Sequence, residues 1–539
     1  MADSTGAHDQ VARDDAHLRS LGIKPELQRS LGFLSNFAVA FSYISVSTGT
    51  FTNQAVAFGV GGPAIFWAWP LVILGQTFVA LNFAELSSHF PVAGSIYQWS
   101  KRLSHKTLGW FTGWIYFWAG VITVTAVAVT VPLVLANIPQ TAFGLGDPSP
   151  IPGLDMQSFV GLVTLLVTTI INVVGVRLLA AINNIGVAAE IIGMLVFALI
   201  LLFFANHQSP AVLLDTSYTE NLGDGYLPVF LVGMFMALFV VYGFDTAGTF
   251  GEETVDASRH APRGVLSALW LSGLVGAIFL LAVTLSFQSI PDAVATGQKF
   301  GFPIADTIKQ NLTFAIAGLT LGDIYLIVIL IAVFVCTLAI QGATVRLMFS
   351  MGRDGRLPFG GTWGHVNPRF RTPANASVGV GVLAAIPLVL TGAGSAAILA
   401  IAATGTIYLS YFLCNLGVLV ARRRGWPQRT AFFSLGNWGT VINVLALVWG
   451  GFMIVNIGLW TSDAFGRFGT DLRNTWSNPF INGFLKLGGN VLSGLPAIPV
   501  FEFFVGVVVI AGAIYYLAAQ RGREDVVAPD IATGETAIA

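Results

Sequence analysis

The amino-acid sequence predicts an all-α membrane protein with twelve transmembrane helices, and three observations point to that fold class. Hydrophobic residues make up 55% of the 539 residues and charged residues only 10%, at a mean hydropathy of +0.76; in a soluble domain roughly 25% of the residues are charged. The apolar residues fall in long runs that suit membrane-spanning helices. Lysine and arginine are concentrated in alternate loops, as the positive-inside rule describes.

The predicted helix boundaries follow the apolar runs along the chain. Each run has at least about 17 residues, the lower limit for a helix that crosses the hydrocarbon core of a bilayer. The twelve segments are 33–58, 64–87, 108–137, 156–176, 181–205, 227–252, 265–288, 324–349, 375–391, 395–420, 438–460 and 501–519.

The basic residues fix the predicted orientation. With the N-terminus inside, nearly all of the 26 lysines and arginines face the cytoplasm, and those left outside are Lys299, Lys309, Arg467, Arg473 and Lys486. We therefore expect a multi-pass protein of the plasma membrane with a cytoplasmic N-terminal tail (1–32) and a cytoplasmic C-terminal tail (520–539). The first thirty residues are polar and lack an apolar core, so no cleaved signal peptide is expected.

Composition also argues against several classes of function. The net charge of −1 gives no bulk electrostatic preference for nucleic acid. Cys336 and Cys414 lie in apolar runs, so neither a disulfide framework nor a zinc site is expected. His89 and His105 share a loop without forming a metal-binding pattern. No nucleophile–base pair or phosphate-binding loop is apparent, so we expect no enzymatic activity, no cofactor and no metal.

The sixth apolar segment has an unusual composition for membrane depth. It begins near Leu227 and carries no charge before Asp245, and it is interrupted by Gly243, Gly248 and Gly251. Glycine weakens a helix, and non-helical backbone at membrane depth is tolerated only where protein or a water-filled cavity satisfies it. An acid at that depth is costly and indicates a functional site. The segment therefore predicts a broken helix that lines a polar cavity.

The first apolar segment carries a second polar interruption, Ser45-Val-Ser-Thr-Gly-Thr50. Segments one and six lie five apart, so they run in opposite directions. This spacing predicts a five-plus-five inverted repeat, with segments one to five (33–205) and six to ten (227–420) as its halves. Paired broken helices in matching positions point to the substrate site of a secondary transporter. The last two helices (438–519), with an extracellular loop at 461–500, are then peripheral.

Four passages together resemble the amino acid–polyamine–organocation superfamily, and within it the amino acid/choline transporter group. They are the first-helix break at 45–51; Glu85-Leu-Ser-Ser-His-Phe-Pro-Val-Ala-Gly-Ser-Ile-Tyr97, with Ser95 in place of the second glycine of the pattern; Gly243-Phe-Asp245 with the charged stretch to Gly264; and Met351-Gly-Arg-Asp-Gly-Arg-Leu-Pro358 after Arg346. The resemblance spans segments one to eight. It implies a proton-driven or exchanging permease for amino acids or related amines.

The two interruptions supply the predicted substrate site. The free N–H groups of a half-helix N-terminus suit a carboxylate, and unwound carbonyl groups suit an ammonium group. The predicted substrate-binding residues are Ser45, Ser47, Thr48, Gly49, Thr50, Tyr242, Gly243, Phe244 and Asp245. Three alternatives stay open: the small residues make a tight helix contact, the aromatic rings belong to the core or face lipid, and Asp245 is a helix cap. Asp245 lies about 27 Å along a helical path from Leu227, which favours a role as an inner gate or amine partner.

Another buried acid is the candidate for proton coupling. Glu190 lies about 14 Å into the fifth segment, near the middle of the core. Its surroundings resemble a fifth-helix pattern in which some relatives place a lysine, and the carboxyl group replaces that lysine here. Alternating hydration would let Glu190 take up and release a proton, because desolvation favours the protonated form. The alternative is a permanently protonated structural Glu.

Charged residues at the inner helix ends are the candidates for a gate. Glu85, Glu252 and Glu253 are expected to pair with cytoplasmic arginines, while Arg346 is expected to reach the membrane interface and form gating salt bridges. Trp114, Tyr116 and Trp118 on the third segment, and the polar Asn172, Gln341 and Thr344, are weaker candidates for the pore lining.

The predicted function is therefore secondary active transport of a small amino acid, γ-aminobutyrate-like or otherwise zwitterionic, or of a related amine. The lipid bilayer and protons are the expected partners. The alternative is a channel or a substrate sensor built on the same fold.

Overall fold

The computed structural model describes residues 2–138, 149–218, 225–299, 301–316, 318–391, 396–428, 431–461 and 500–523. These residues are mostly helical, in agreement with the predicted all-α class. Nine helices in this described part are long and apolar enough to cross a membrane, and Leu227–Val240 and Ala374–Leu390 are shorter apolar helices. The total of twelve spans stays a prediction. The predicted loop at 461–500 lies almost entirely outside the described residues.

The α-helices are numbered in chain order. They are α1 Ala2–Ser20, α2 Phe33–Ile44, α3 Val46–Gly61, α4 Ala68–His89, α5 Ser95–Leu103, α6 Lys106–Ala128, α7 Thr130–Leu135, α8 Met156–Val174, α9 Val176–Phe204, α10 Leu227–Gly233, α11 Phe235–Val240, α12 Thr246–Thr249, α13 Ala257–Leu285, α14 Ile290–Gln298, α15 Pro303–Asn311, α16 Leu321–Arg353, α17 Gly360–Trp363, α18 Ala374–Thr391, α19 Ala396–Arg423, α20 Gly439–Val455 and α21 Val500–Tyr515. Short 3₁₀ turns include Pro63–Trp67 and Gly251–Glu253, and β1 Ala315–Ile316 pairs antiparallel with β2 Leu319–Thr320.

Local signals explain several helix ends. The side chain of Asp155 caps α8 by accepting a hydrogen bond from the Ser158 N–H group at 2.7 Å. Thr320 and Asp323 form a reciprocal capping box at the start of α16. A single residue, Gly175, separates α8 from α9, and its φ of 152° suits glycine. The fifth predicted span therefore begins earlier than expected, at Val176.

The first predicted span is broken, but at one residue. Ser45 adopts a left-handed backbone conformation (φ 32°, ψ 89°) between α2 and α3, which is uncommon for a residue other than glycine. Ser47, Thr48, Gly49 and Thr50 lie in the first turn of α3. An interruption was expected over the whole stretch from Ser45 to Thr50. The break is instead confined to Ser45, and a regular helix N-terminus follows it.

The sixth predicted span is broken over a longer distance. Helix α10 ends at Gly233 and α11 at Val240, and non-helical backbone follows from Val241 to Asp245. Gly243 has a φ of 86°, a conformation that glycine adopts without strain. The four-residue helix α12 and the 3₁₀ turn Gly251–Glu253 complete the segment. The predicted continuous range 227–252 is therefore a series of short helical pieces.

The two breaks pack directly against each other. A β-carbon added at Gly49 would lie 2.3 Å from Cγ2 of Val240, and one added at Gly243 would lie 1.9 Å from the ring of Tyr43. These glycines let the broken helices approach as closely as small residues allow in membrane proteins. Gly49 therefore makes a tight helix contact, which was one of the alternatives stated for the small residues.

The N-terminal segment is ordered and covers one end of the helix bundle. Leu18, Leu21, Ile23, Leu27 and Leu31 are buried in the main core. The N–H groups of Ser30 and Leu31 donate to the carbonyl of Glu253 at 2.9 Å, and the Val255 N–H group donates to the carbonyl of Leu31 at 2.9 Å. We call this end of the bundle, defined by Ser30–Leu31 and Glu252–Val255, the N-terminal face.

The opposite end of α3 is covered by the connection between α13 and α16. Helix α14 packs along α3, and the rings of Phe51 and Phe302 stack at 5.0 Å between centroids. The broken first helix is thus held from both ends of the bundle.

The close contact of the broken helices can be tested by overpacking. We expect Gly49→Ala to lower the stability of the purified protein by about 1–3 kcal/mol, because the new methyl group must displace Val240. Thermal unfolding in detergent measures the effect. Gly32→Ala is the matched control, since a β-carbon there meets nothing within 4 Å. Equal midpoints for the two variants would contradict the contact.

Candidate functional site

The carboxyl group of Asp245 lies at the break in the sixth helix and is bound by three hydroxyl groups. Ser95 donates to Oδ2 at 2.8 Å, and Tyr116 donates to Oδ1 at 2.9 Å and to Oδ2 at 2.8 Å. Tyr411 also donates to Oδ1. The side chain is completely buried. These donors come from α5, α6 and α19, so one carboxyl group joins three separate helices to the break.

The surroundings of Asp245 argue against one of its two sequence interpretations. Asp245 occupies the N-cap position of α12, but its side chain makes no capping hydrogen bond. The helix-cap interpretation is therefore wrong, and the carboxyl group is bound by hydroxyl groups of other helices. The Tyr411 hydroxyl also accepts a hydrogen bond from the Gly243 N–H group at 2.9 Å. Tyr411 thus connects the unwound backbone with the acid.

Other side chains satisfy the non-helical backbone. Gln76 on α4 donates to the carbonyl of Val241 at 2.9 Å. Asn36 on α2 donates to the carbonyl of Ala247 at 2.8 Å and to the Thr254 hydroxyl at 3.0 Å. Backbone groups freed from a helix inside an apolar bundle need such partners. The polar residues of neighbouring helices therefore stabilise the break.

Glu190 binds the break in the first helix. Its Oε1 atom accepts a hydrogen bond from the Ser45 hydroxyl at 3.0 Å and from the Ser47 N–H group at 3.1 Å. The Ser45 hydroxyl also lies 2.6 Å from that of Thr48. Ser47 is in the first turn of α3, where the N–H groups have no partner within the helix. Glu190 thus binds the half-helix N-terminus that was predicted to bind the carboxylate of a substrate.

Aromatic rings and unpaired polar atoms lie beside the two breaks. The ring of Tyr242 contacts Tyr43 edge-on at 6.2 Å and Phe239 at 5.8 Å between centroids. Phe244 instead packs against Phe83 and Tyr411. Within the described part of the chain, the polar atoms buried here without a hydrogen bond of acceptable geometry include Ser47 Oγ, the Tyr242 hydroxyl and Thr246 Oγ1. Buried polar atoms without partners are uncommon and need an explanation.

Every predicted substrate-site side chain is buried. Ser45, Thr50, Phe244 and Asp245 are 0% exposed; Tyr242, the most exposed of the predicted substrate-site side chains, and Glu190 are each 2% exposed. The conformation is therefore closed around the breaks. A solute could reach them only after the surrounding helices move.

Ion pairs stabilise the N-terminal face. Arg346 forms a bidentate pair with Glu253, at 2.6 and 3.0 Å, and its guanidinium lies 4.0 Å from the ring centre of Phe250. Arg353 pairs with Glu252 through two contacts of 3.0 Å. Arg346 is 1% exposed, because Glu253 and Phe250 enclose its guanidinium group; its reach to the membrane interface stays a prediction.

Two further ion pairs involve Glu85 and Asp354. Arg422 binds Glu85, which also accepts a hydrogen bond from the Leu435 N–H group at 2.9 Å. Lys101 binds Asp354 at 2.9 Å. Burial alone would raise the pKa of Asp354, but Lys101 and Arg353 more than offset this effect, so its pKa lies below the usual value. All three acids predicted as gate residues thus pair with arginines.

Some predicted residues lie away from the breaks. Trp114 stacks on Trp110 and donates to the carbonyl of Val508 on α21 at 2.9 Å, and Trp118 packs against Trp114. The amide nitrogens of Asn172 and Gln341 bond Thr168 and Thr169 on α8. The Thr344 hydroxyl bonds the carbonyl of Ile340 in its own helix. Of the three aromatic candidates on the third span, Tyr116 alone reaches the acid at the break.

Sequence reasoning missed Tyr411 and Ser95 as site residues. Tyr411 lies in an apolar run with no local pattern to mark it. One feature of the sequence could have marked Ser95 as a site residue, because it replaces a glycine of the family pattern. Within the described residues, no group of three or more His, Cys, Asp or Glu side chains could hold a metal ion.

Comparison with known proteins gives a consistent set of matches. The family model described as amino acid permease matches residues 31–485. Amino-acid permease BAT1 of Arabidopsis thaliana is 29% identical, over 80% of this chain and 86% of its own length. The BAT1 homolog of Oryza sativa subsp. japonica is 30% identical, over 80% and 85%. The low-affinity putrescine importer PlaP of Escherichia coli (strain K12) is 25% identical, over 67% and 75%.

The hydrogen bonds that Tyr411 forms with Gly243 and Asp245 can be tested by removing its hydroxyl group. We expect Tyr411→Phe to lower stability by about 1–3 kcal/mol, because it leaves the buried Gly243 N–H group without an acceptor. Thermal unfolding measures the loss. Tyr408→Phe, one turn away on α19, is the control, since the buried Tyr408 hydroxyl makes no hydrogen bond of acceptable geometry among the described residues. If both variants unfold alike, Tyr411 does not support the break.

Proposed function

The chain belongs to the amino acid permease family of the amino acid–polyamine–organocation superfamily, and from that premise we propose a secondary active transporter of amino acids or related amines. It is a multi-pass membrane protein. One observation carries the proposal beyond the family: two broken helices contact each other in the buried interior, and the Ser47, Tyr242 and Thr246 hydroxyl groups beside them make no hydrogen bond of acceptable geometry among the described residues. Paired broken helices are the usual substrate site of transporters built from repeats.

The proposed architecture has twelve spans, with segments one to five and six to ten as inverted repeats and the last two helices outside them. The breaks at Ser45 and at Val241–Asp245 support this arrangement, because they fall in the first helix of each proposed half. The distribution of basic residues supports cytoplasmic termini in the plasma membrane. The N-terminal face is then the cytoplasmic end.

The proposed transport cycle alternates access to the breaks. The closed conformation supports this proposal, because a carrier must pass through a state in which its site is sealed from both sides. Glu85, Glu252, Glu253 and Arg346 would form the inner gate, since opening toward the cytoplasm must separate the pairs of Glu252 and Glu253. Asp245 and its hydroxyl partners would lie between this gate and the substrate.

The proposed substrates are zwitterionic amino acids, including γ-aminobutyrate-like ones, and related amines. Their binding would involve Ser45, Ser47, Thr48, Gly49 and Thr50 on one side and Tyr242, Gly243, Phe244 and Asp245 on the other. The names of the relatives support this range, because they include amino-acid permeases and a putrescine importer.

Proton coupling is assigned to Glu190 in this proposal. The support is its position, since its carboxyl group is buried and binds the backbone at the first break. Among the described residues it forms no ion pair with Lys, Arg or His. A buried carboxyl group without a cation is costly when charged, so a change in its hydration would change its protonation.

Reconstitution tests the function. Proteoliposomes containing the purified protein should take up one or more labelled amino acids, choline or polyamines with saturating kinetics, and unlabelled substrate inside should accelerate uptake. Empty liposomes are the control. Conductance that does not saturate would identify a channel, and binding without flux would identify a sensor.

The coupling role of Glu190 has its own test. We expect Glu190→Gln to lose accumulation driven by a pH gradient but to keep substrate exchange, because an amide accepts the same hydrogen bonds without taking up a proton. Gradient-driven uptake and counterflow, measured in parallel, separate the two activities. Asn183→Ala is the control, since Asn183 lies on the same helix and bonds the Leu179 carbonyl of α9. Wild-type accumulation and pH dependence in Glu190→Gln would leave Glu190 a structural residue.

A further inference from the structure

The N-terminus of α3 already holds a carboxyl group in the closed conformation. Helix N-termini bind anions because their first N–H groups have no partner within the helix and carry partial positive charge. At α3 this position is taken by Glu190 Oε1, which binds the Ser47 N–H group at 3.1 Å and the Ser45 hydroxyl at 3.0 Å. A carboxylate of a substrate would compete for the same donors, and it would also be repelled whenever Glu190 is ionised.

The balance of charge around the breaks points in the same direction. Glu85, Glu252 and Glu253 each pair with an arginine. Glu190 and Asp245, in contrast, form no ion pair with any residue that the structure describes. Two buried acids without a protein cation favour a positively charged ligand, because such a ligand supplies the missing opposite charge.

The side chains next to these acids suit an organic cation. The ring of Tyr242 contacts the rings of Tyr43 and Phe239 beside the breaks, and aromatic faces attract ammonium groups. The hydroxyl oxygens of Ser47, Tyr242 and Thr246, at the two breaks, are buried and make no hydrogen bond of acceptable geometry among the described residues. Hydroxyl oxygens can accept hydrogen bonds from an ammonium group.

We propose that Glu190 occupies the anion position at the N-terminus of α3 and thereby makes the site selective for organic amines without a carboxylate over the corresponding amino acids. This inference rests on the proposed transport function and names the substrate class of that same site. Glu190 is in this respect a specificity-determining residue. It excludes the carboxylate by occupying its donors and, when ionised, by repelling its charge, while the aromatic rings and the two acids favour the amine.

Matched pairs of solutes provide the test, because each pair differs only in the carboxylate: putrescine and ornithine, agmatine and arginine, cadaverine and lysine. We expect the wild-type protein in proteoliposomes to prefer the amine of each pair by about tenfold or more in kcat/KM, the selectivity that a difference of about 1.4 kcal/mol would give. Glu190→Ala removes both the occupant and its charge, and should shift the preference toward the amino acid by a similar factor.

Two variants serve as comparisons. Glu190→Gln keeps the acceptor at the Ser47 N–H group and should change the preference less than Glu190→Ala does. Asp306→Asn alters an exposed acid between α14 and α16, and should leave the preference unchanged. Thermal unfolding in detergent, with and without each solute, reports folding and binding independently of transport. If Glu190→Ala does not fold, the wild-type stabilisation by amine against amino acid still tests the selectivity.

The outcomes are distinguishable. Equal transport of both members of each pair by the wild-type protein, or a preference for the amino acids, would overturn the inference while leaving the transport function intact. An amine preference that persists unchanged in a folded Glu190→Ala variant would remove Glu190 as its cause. Absence of saturable uptake for every solute would count against the proposed function itself.

Discussion

The structure depends on the need to satisfy backbone groups where two helices stop inside an apolar bundle. Water is scarce there, so each freed N–H or carbonyl group needs a protein partner. Glu190 provides it at the first break, while Tyr411 and Gln76 provide it at the second. These partners come from α9, α19 and α4. The geometry of the breaks therefore depends on the arrangement of the bundle. Moving any of these three helices would leave a backbone N–H or carbonyl group at a break without its hydrogen bond.

The two acids at the breaks have different surroundings, which separates their roles. Asp245 is held by three neutral hydroxyl groups from three helices, so a change at this acid acts on several helices together. Glu190 binds the first turn of one half-helix through a serine hydroxyl and a backbone N–H group. In the selectivity proposed above, it determines which ligand charge that half-helix can accept. The same chemical group thus connects several helices at one break and binds a half-helix N-terminus at the other.

Much of the fold and part of the site could be predicted from the sequence. Glycines and an acid within an apolar run identified the break near Gly243 and Asp245, and the four motif passages indicated the superfamily, which the family match confirms. Partners far apart in the chain could not be predicted, because the contact of Tyr411 with Asp245 leaves no local pattern. The segment 1–32 was predicted as a tail from its polar composition. The average composition of the segment is polar, so it did not indicate the apolar residues that pack in the core: Leu18, Leu21, Ile23, Leu27 and Leu31.

The strand-like pairing of Ser30 and Leu31 with Glu253 and Val255 has a consequence for cooperativity. The carbonyl of Glu253 accepts the two N-terminal N–H groups, while its carboxylate binds Arg346. Arg29 also donates to the carbonyls of Gly251 and Thr254. Backbone and side-chain contacts therefore meet on one residue, and displacing Glu253 from Arg346 also strains the N-terminal pairing. Separation of this face is thus expected to resemble an all-or-none transition rather than a gradual loosening, with Arg29, Ser30 and Leu31 released together with Glu253.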